Sequence, residues 1–324
     1  MKTGRMPENV WKRSIRKNIK HEFLDTKGAG IGSTSASFKA CGEFYVSEPC
    51  MVPMCEQMGA MAVYLSSNAV AAKGKASGVM LELMLDGRSP EEFASHVAKD
   101  AGKAAEALGM EIAGFNVHIL PGLKKSYILA TAVAKADEDV ILADKAGADQ
   151  DIIVTKWVGM SGTSMLAAER KAELIKRYPS EYIEAAVNLK KYLSVRDEME
   201  VLSKQDNISY ISAVSETGIF GHLWDMSEKS GVGMKLNLRS FPFRQETIEV
   251  CNHLDVDPYI LSSSGAMLIV ASDGEKIVEK LEGFEIPATI IGKTSSKNDK
   301  IIENGDEIRF LTKPCSDEIY RILG

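Results

Sequence analysis

Ser215-Glu216-Thr217-Gly218 is the stretch whose residue types best fit phosphate chemistry. It follows a predicted strand, Ile208–Val214, and opens a predicted helix that ends at Gly231. The N-terminus of a helix offers free N–H groups and a partial positive charge, so this loop could cradle a phosphate. A nucleotide site also needs acidic groups to hold magnesium. Glu216 is the only carboxylate at the mouth of this loop.

A second glycine-rich stretch, KGAGIGSTSASF, runs from Lys27 to Phe38. It lacks the Gly-Lys-[Ser/Thr] ending of a Walker loop, and its alternating Gly28, Gly30 and Gly32 differ from a dinucleotide fingerprint. The spacing alone favours a flexible loop over a phosphate site.

Glu48 follows a predicted strand and lies close in sequence to Cys41, Cys50 and Cys55. Three cysteines so near one another suggest a metal site, but their spacing matches neither a zinc ribbon nor a ferredoxin run. Buried or half-buried thiols are the better interpretation.

Other polar residues have two interpretations each. Asn116 and His118 lie two apart on a predicted strand, so both face one side of a sheet, where a lone histidine is more often structural than catalytic. Trp157 is either an anchor between domains or a wall of a nucleotide pocket. The polar turn Ser262–Gly265 either lines a ligand cleft or only turns the chain. The other histidines show no metal-ligand spacing.

Strand and helix patterns alternate along the chain, which indicates α/β or α+β architecture. The clearest helix is Ser89–Gly109, where Ser89 predicts a capping box and Gly109 predicts the end. A second capped helix is predicted over residues 161–179. Further strands are predicted at Glu43–Ser47, Gly78–Leu85, Met110–Leu120, Tyr127–Ala134, Ile152–Gly159, Ala266–Ala271 and Ala288–Gly292, and further helices at Gly59–Gly74, Glu246–Leu254 and Glu275–Leu281.

Composition limits the class of protein. A chain of 324 residues with 45% apolar residues exceeds the usual size of one core, and the polar stretch Lys135–Asp151 suggests a junction, so we predict domains at 1–150 and 151–324. A net charge of −6 argues against nucleic acid as the main partner. Five cysteines without a C-x-x-C pair indicate a reduced, cytoplasmic setting.

The N-terminal segment is basic and has no apolar core, so it is not a secretory signal, and no run reaches transmembrane length. We interpret it as a packed or partner-contacting helix.

Several motifs together resemble the superfamily of aminoimidazole ribonucleotide (AIR) synthase, the PurM-like proteins. The resemblance is strongest to the AIR-synthase-related group that includes the hydrogenase maturation factor HypE. It is carried by GAGIGSTSASF, YVSEP, SSNAVAAKG, DIIVTKWVGMSGT, SAVSETGIFGHLWDMSEKSGVG, DPYILSSSGAMLIVAS, PATIIGKT and SDEIY, in this order.

The resemblance implies two α/β domains, an N-terminal sheet that forms a dimer barrel, and a groove that binds ATP with magnesium. It implies that the groove is lined by Gly30, Gly32, Thr34, Glu48, Asn68, Gly114, Asn116, His118, Glu216 and Gly218, with Glu48 and Glu216 as the remaining metal ligands. The family also transfers a carbamoyl group to a C-terminal cysteine, whereas Cys315 lies inside TKPCSDEIY here.

Most acids of the family pattern are replaced in this chain. Thr34 stands for an aspartate, Ala69 follows Asn68 where the family has Asn-Asp, and Ala213 stands for the aspartate of its His-Asp run. Alanine and threonine do not replace aspartate in holding magnesium. We therefore expect Mg-ATP turnover to be weak or absent.

Three hypotheses follow from this pattern. The favoured one is a pseudoenzyme, a binding, regulatory or scaffolding homodimer with a degenerate ATP site and a possible protein partner. The alternative is an active ATP-dependent enzyme of hydrogenase-maturation type with a reworked metal site. The third is that a different small ligand binds in the groove that holds ATP in the family, where Thr34, Asn68 and His118 form hydrogen bonds to it.

Overall fold

The computed structural model describes residues 26–27, 35–40, 42–120, 122–136, 143–313 and 316–324, with the backbone alone for the first two ranges. Gly30, Gly32, Thr34, Cys41 and Cys315, together with the basic N-terminal segment, lie outside the described residues.

The N-terminal half forms one mixed sheet with two helices. Its strands are β1 (Thr26–Lys27), β2 (Ser35–Ala40), β3 (Gly42–Ser47), β4 (Cys50–Pro53), β5 (Ala76–Leu85), β6 (Glu111–Ile119) and β7 (Tyr127–Lys135), and its helices are α1 (Met58–Val70) and α2 (Glu91–Leu108). The strand order is β1-β2-β3-β7-β5-β6, and β4 also pairs with β7. Strands β5 and β6 are parallel because α2 connects them as a crossover.

Helices α1 and α2 cover one face of this sheet and touch each other closely. A Cβ on Gly59 would lie 2.2 Å from the Val97 carbonyl oxygen, so only glycine permits this approach. Asp100 of α2 accepts a hydrogen bond of 2.8 Å from the Ala60 amide, which satisfies a donor at the start of α1. The alternating apolar residues of β5 and β7 point to these helices and form the core.

The opposite face of this sheet is open in the single chain. Met80 of β5 is 58% exposed on this face. On the same face as Met80 lie Gly114, Asn116 and His118, because β5 and β6 pair Met80 with Gly114 and each second residue shares a face.

The C-terminal half forms a second sheet with helices on both faces. Its strands are β8 (Asp151–Thr155), β9 (Ile208–Ala213), β10 (Gly233–Asn237), β11 (Met267–Ala271), β12 (Ala288–Ser295), β13 (Lys300–Asn304) and β14 (Glu307–Phe310). Its helices are α3 (Met160–Glu169), α4 (Lys171–Leu174), α5 (Ser180–Val187), α6 (Arg196–Leu202), α7 (Gly218–Ser230), α8 (Gln245–Leu254), α9 (Gly274–Glu282) and α10 (Ile319–Leu323). The strand order is β14-β13-β10-β12-β8-β11-β9.

Two apolar clusters fill the faces of this second sheet. One face of β8 and β11 packs against α7, and the other packs against α6 and α9. The central strand β11 is buried along its whole length, as expected for a strand covered on both sides. The two-sheet, mixed α/β architecture confirms the predicted fold class. The boundary between residues 150 and 151 stays a prediction.

Two local predictions are wrong. Ser89 does not cap α2, because its hydroxyl contacts Asp86 and Ser126 instead, and Pro90 takes the cap position. The helix predicted over residues 161–179 is interrupted at Arg170, where φ is −102°, so that it forms α3 and the single turn α4. No helix in the described part of the chain has the length and apolar character needed to cross a membrane.

Candidate functional site

The loop between β9 and α7 is a tight turn that leads into the N-terminus of a helix. Thr217 and Gly218 both adopt left-handed conformations, with φ of 68° and 63°. A Cβ on Gly218 would lie 2.5 Å from the Tyr259 carbonyl oxygen, so glycine is required here. Helix α7 begins directly after this turn, so its first amides face the loop.

Groups of the protein itself already use the amides of this loop. The Ser215 amide donates to His222 Nε2 at 2.9 Å. The Thr217 amide donates to Asp317 Oδ2 at 2.9 Å, although the two residues are 100 positions apart. A carboxylate from the C-terminal segment therefore lies where the sequence predicts a phosphate.

Asp317 is the polar centre of this region. Besides Thr217, its carboxylate accepts from the Ser262 amide at 3.1 Å, the Ser262 hydroxyl at 2.5 Å and the Ile319 amide at 2.8 Å. Burial raises the pKa of Asp317, and the hydrogen bonds oppose this rise. Asp317 was not predicted as a site residue from the sequence, although it lies in SDEIY, a segment that carries the family resemblance.

The two carboxylates predicted as metal ligands lie near one thiol. Burial, followed by the negative charges of Glu216 and Glu48, raises the pKa of Cys50 to about 12. Tyr320 of α10 has its pKa raised by burial, by the charges of Glu216 and Asp317, and by its hydrogen bond to Glu216. Glu48 and Glu216 thus lie within electrostatic reach of the same thiol, and Glu216 holds a tyrosine hydroxyl.

Asn68 joins the two halves of the chain. Its Nδ2 donates to the Leu193 carbonyl at 2.6 Å and to the Ser264 hydroxyl at 3.1 Å. Its Oδ1 accepts from the Val195 amide at 3.3 Å. The side chain is buried, and both its donor and its acceptor groups bind protein. Ala69 follows it in place of an acid.

Three of the predicted groove residues lie on β6, on the open face of the first sheet: Gly114, Asn116 and His118. They are distant in sequence from the loop between β9 and α7. The His118 ring contacts the carboxylate of Glu82 on the neighbouring strand β5. His118 is 61% exposed, and Asn116 is exposed as well. The structure therefore places these three residues on a face that a second molecule could cover.

A buried ion pair beside Trp157 was not predicted from the sequence. Lys156 Nζ lies 2.8 Å from Glu198 Oε1, and Glu198 is fully buried. Lys156 also donates to the Tyr192 carbonyl at 2.9 Å and has a left-handed φ of 50°. Trp157 packs edge-on against Tyr192 of the same half of the chain, with ring centroids 5.2 Å apart, and its role as an anchor between domains stays a prediction. A local pattern could not have paired Lys156 with Glu198.

In the part of the chain that the structure describes, no three His, Cys, Asp or Glu side chains are arranged so that they could hold a metal ion.

Comparison with known proteins links this architecture to a family. Residues 147–303 match the C-terminal domain of AIR synthase related protein. A putative hydrogenase expression/formation protein of Methanocaldococcus jannaschii is 22% identical over 97% of this chain and 93% of its own length.

Solved structures share the fold at low sequence identity. Escherichia coli HypE, a hydrogenase maturation protein, is 14% identical with a TM-score of 0.68, covering 84% of this chain and 88% of its own. AaThiL, complexed with AMPPCP and TMP, is 15% identical with a TM-score of 0.70, covering 94% and 98%. Residues 147–303 of this chain are thus similar to the C-terminal domain of AIR synthase related protein, and the chain as a whole has the PurM-like fold of HypE and ThiL.

Proposed function

We propose that this protein is a HypE-like member of the AIR-synthase-related group whose ATP-magnesium site is largely degenerate. It acts as a non-catalytic or weakly active binding or regulatory homodimer in the cytoplasm. The observation that carries the proposal is the Asp317 carboxylate bound to the Thr217 amide in the loop between β9 and α7.

Electrostatics explains why this arrangement disfavours Mg-ATP. A phosphate at the loop would compete with Asp317 for the Thr217 amide and would meet the negative charge of Glu216 nearby. Magnesium normally offsets such repulsion, but it needs oxygen ligands, chiefly carboxylates. Ala69 and Ala213 supply none.

The open face of the first sheet supports the homodimer. Met80 is 58% exposed at its centre, and an apolar sheet face of this kind is usually covered by protein. A second copy could bury Met80 together with Leu129 and Val133, which the alternation of β7 places on the same face. The free thiols of Cys50, Cys55 and Cys251 fit a reducing, cytoplasmic location.

An active ATP-dependent enzyme of hydrogenase-maturation type remains the second candidate. After burial, the negative charges of Glu216 and Glu48 raise the pKa of Cys50, so both carboxylates lie in the region of this thiol and are the candidates for a reworked metal site. The AaThiL structure, which shares the fold, contains AMPPCP, an analogue of ATP.

Phosphate release from ATP in the presence of magnesium distinguishes the two candidates. Light scattering first tests whether the purified protein has twice the chain mass of 35.3 kDa, as a homodimer would. The rate of phosphate release by the wild-type protein is then compared with the rates of the Glu48→Ala and Glu216→Ala variants. We expect the wild-type rate to equal the protein-free background and both variants to match it. Magnesium-dependent release that falls in these variants, but not in the exposed-site control Glu282→Ala, would establish the enzyme instead.

A further inference from the structure

The second sheet ends in a strand whose outer edge pairs with no strand of the described ranges. Strand β14 lies at the end of the strand order and pairs with β13 alone. All of its residues are exposed, and Ile308 and Phe310 are 67% and 66% exposed. Proteins usually protect such an edge with lysine, proline or a β-bulge. Strand β14 contains neither residue type, and its register with β13 is regular.

The backbone groups of Ile308 and Phe310 point away from β13. In an antiparallel pair, opposite residues alternate between pairs that exchange two hydrogen bonds and pairs that exchange none. The Leu311 amide donates to the Lys300 carbonyl at 2.8 Å, so every second residue of β14, counted back from Leu311, bonds to β13. The amides and carbonyls of Ile308 and Phe310 are therefore directed outwards, where a further strand could bind them.

The apolar side chains of β14 lie on the outer face of this sheet edge. Ile308 and Phe310 share this face with the half-buried Ile301, which lies opposite Phe310 on β13. The other face carries Arg309 opposite Ile302, and Ile302 is buried in the apolar cluster that includes α7. Exposed apolar side chains beside outward-directed backbone groups are typical of a surface that pairs with another strand.

The charges of β14 complement a second copy of the same strand. A two-fold axis through Ile308 sets this residue against Ile308 of the second copy, so that the two exchange a pair of backbone hydrogen bonds. The same register sets Glu307 against Arg309 of the second copy, twice, and opposite charges at such positions attract. Neither side chain forms an ion pair with another residue of the described ranges.

Other registers of β14 against itself fit less well. An axis through Arg309 sets this residue against its own copy, and like charges directly opposite each other destabilise a sheet. An axis through Phe310 requires residues 311–313, which lie outside β14. The axis through Ile308 also brings Ile308 diagonally next to Phe310 of the second copy, which joins the apolar side chains of both copies on the outer face.

We propose that two copies of this protein pair through their β14 strands, antiparallel about Ile308, and form one continuous sheet. Four residues a side make a small interface, so the association is weak and depends on protein concentration. The surface lies on the second sheet, away from the open face of the first sheet, and the inference does not depend on the proposed function. Where both surfaces are occupied, the dimers join into a larger assembly.

Sedimentation velocity over protein concentrations of roughly 1 µM to 1 mM tests the proposal. We expect the wild-type mass to double as the concentration rises. Glu307→Arg and Arg309→Glu should each raise the Kd at least about tenfold, because like charges then face each other twice. An equimolar mixture of these two variants should regain the association, because opposite charges then meet at both positions. Lys280→Glu, a charge reversal at an exposed lysine of α9, should leave the Kd unchanged.

Disulfide crosslinking identifies the register. Ile308→Cys should form a disulfide between two copies, because the axis brings the two Cα atoms to about 5.5 Å. Glu307→Cys is the register control and should crosslink far less, because its own copy lies two residues away across the interface. The wild-type protein under the same oxidising conditions gives the background from the native thiols. All these positions are exposed, so the variants are expected to fold.

Three results would overturn the proposal. One is a wild-type mass that stays constant up to about 1 mM, which would leave the edge to a segment of a different protein. Another is a mixture of Glu307→Arg and Arg309→Glu that associates no better than either variant alone. The third is equal crosslinking of Glu307→Cys and Ile308→Cys.

Discussion

Replacement of Asp317 by alanine should destabilise the protein strongly. The carboxylate accepts four hydrogen bonds, and those from the Ser262 amide, the Ser262 hydroxyl and the Ile319 amide are buried. The fourth, from Thr217, is partly buried. Each buried donor left without a partner costs about 1–3 kcal/mol, and the Thr217 amide can bind water. We therefore expect a loss of roughly 3–5 kcal/mol for Asp317→Ala.

Urea unfolding, followed by circular dichroism, measures this loss. Asp317→Asn keeps one carbonyl oxygen, so it should lose about half as much as Asp317→Ala. Asp306→Ala, in the exposed turn between β13 and β14, provides the matched control and should change stability by less than about 0.5 kcal/mol. A loss below about 1 kcal/mol for Asp317→Ala would refute the view that this carboxylate fills the loop.

Two further predictions concern titratable groups. Cys50, whose pKa is raised to about 12, should react with iodoacetamide far more slowly at pH 8 than a free thiol does. The Glu216→Gln variant should speed this reaction, because it removes a negative charge that raises the pKa of Cys50. For Glu246, burial raises the pKa, but the hydrogen bond and charge of Arg244 outweigh it and lower the pKa below 4.5. Glu246→Gln should therefore cost about 1 kcal/mol at neutral pH, a cost that disappears as the pH falls through the folded pKa.

The controls for these two predictions use the same chain. Mass spectrometry of the Cys50 peptide follows alkylation, with the urea-unfolded protein as the reference for a free thiol. Equal rates in folded and unfolded protein would contradict the raised pKa. For Glu246, urea unfolding is repeated at several pH values. A difference between wild type and Glu246→Gln that stays constant from pH 7 to pH 3 would contradict the role of Arg244.

The sequence predicts the local frame of the site well. The apolar pattern of β9 predicts the strand before the loop, and Gly231 predicts the end of the helix after it. Gly231 adopts the left-handed conformation that ends a helix, with φ of 70°. These features depend on neighbours in the chain, so a single sequence contains the information.

The partners of the site residues depend on contacts that are distant in sequence. Asp317 meets Thr217 across 100 positions, and Asn68 meets Leu193 across 125. Nothing in the residue types near Asn68 reveals that its amide binds the second half of the chain. Ser89 is a second example of a contact that is distant in sequence. The capping pattern predicts that its hydroxyl caps α2, but the hydroxyl contacts Ser126 instead.

Calorimetric titration of the wild-type protein with ATP, with and without magnesium, tests the degenerate-site account most directly. The account predicts that magnesium leaves the heat of binding unchanged, because the loop amide holds Asp317 and the acids that would hold the metal are replaced. Binding that tightens at least tenfold on addition of magnesium, and that Glu48→Ala or Glu216→Ala abolishes, would contradict it and identify an active nucleotide site.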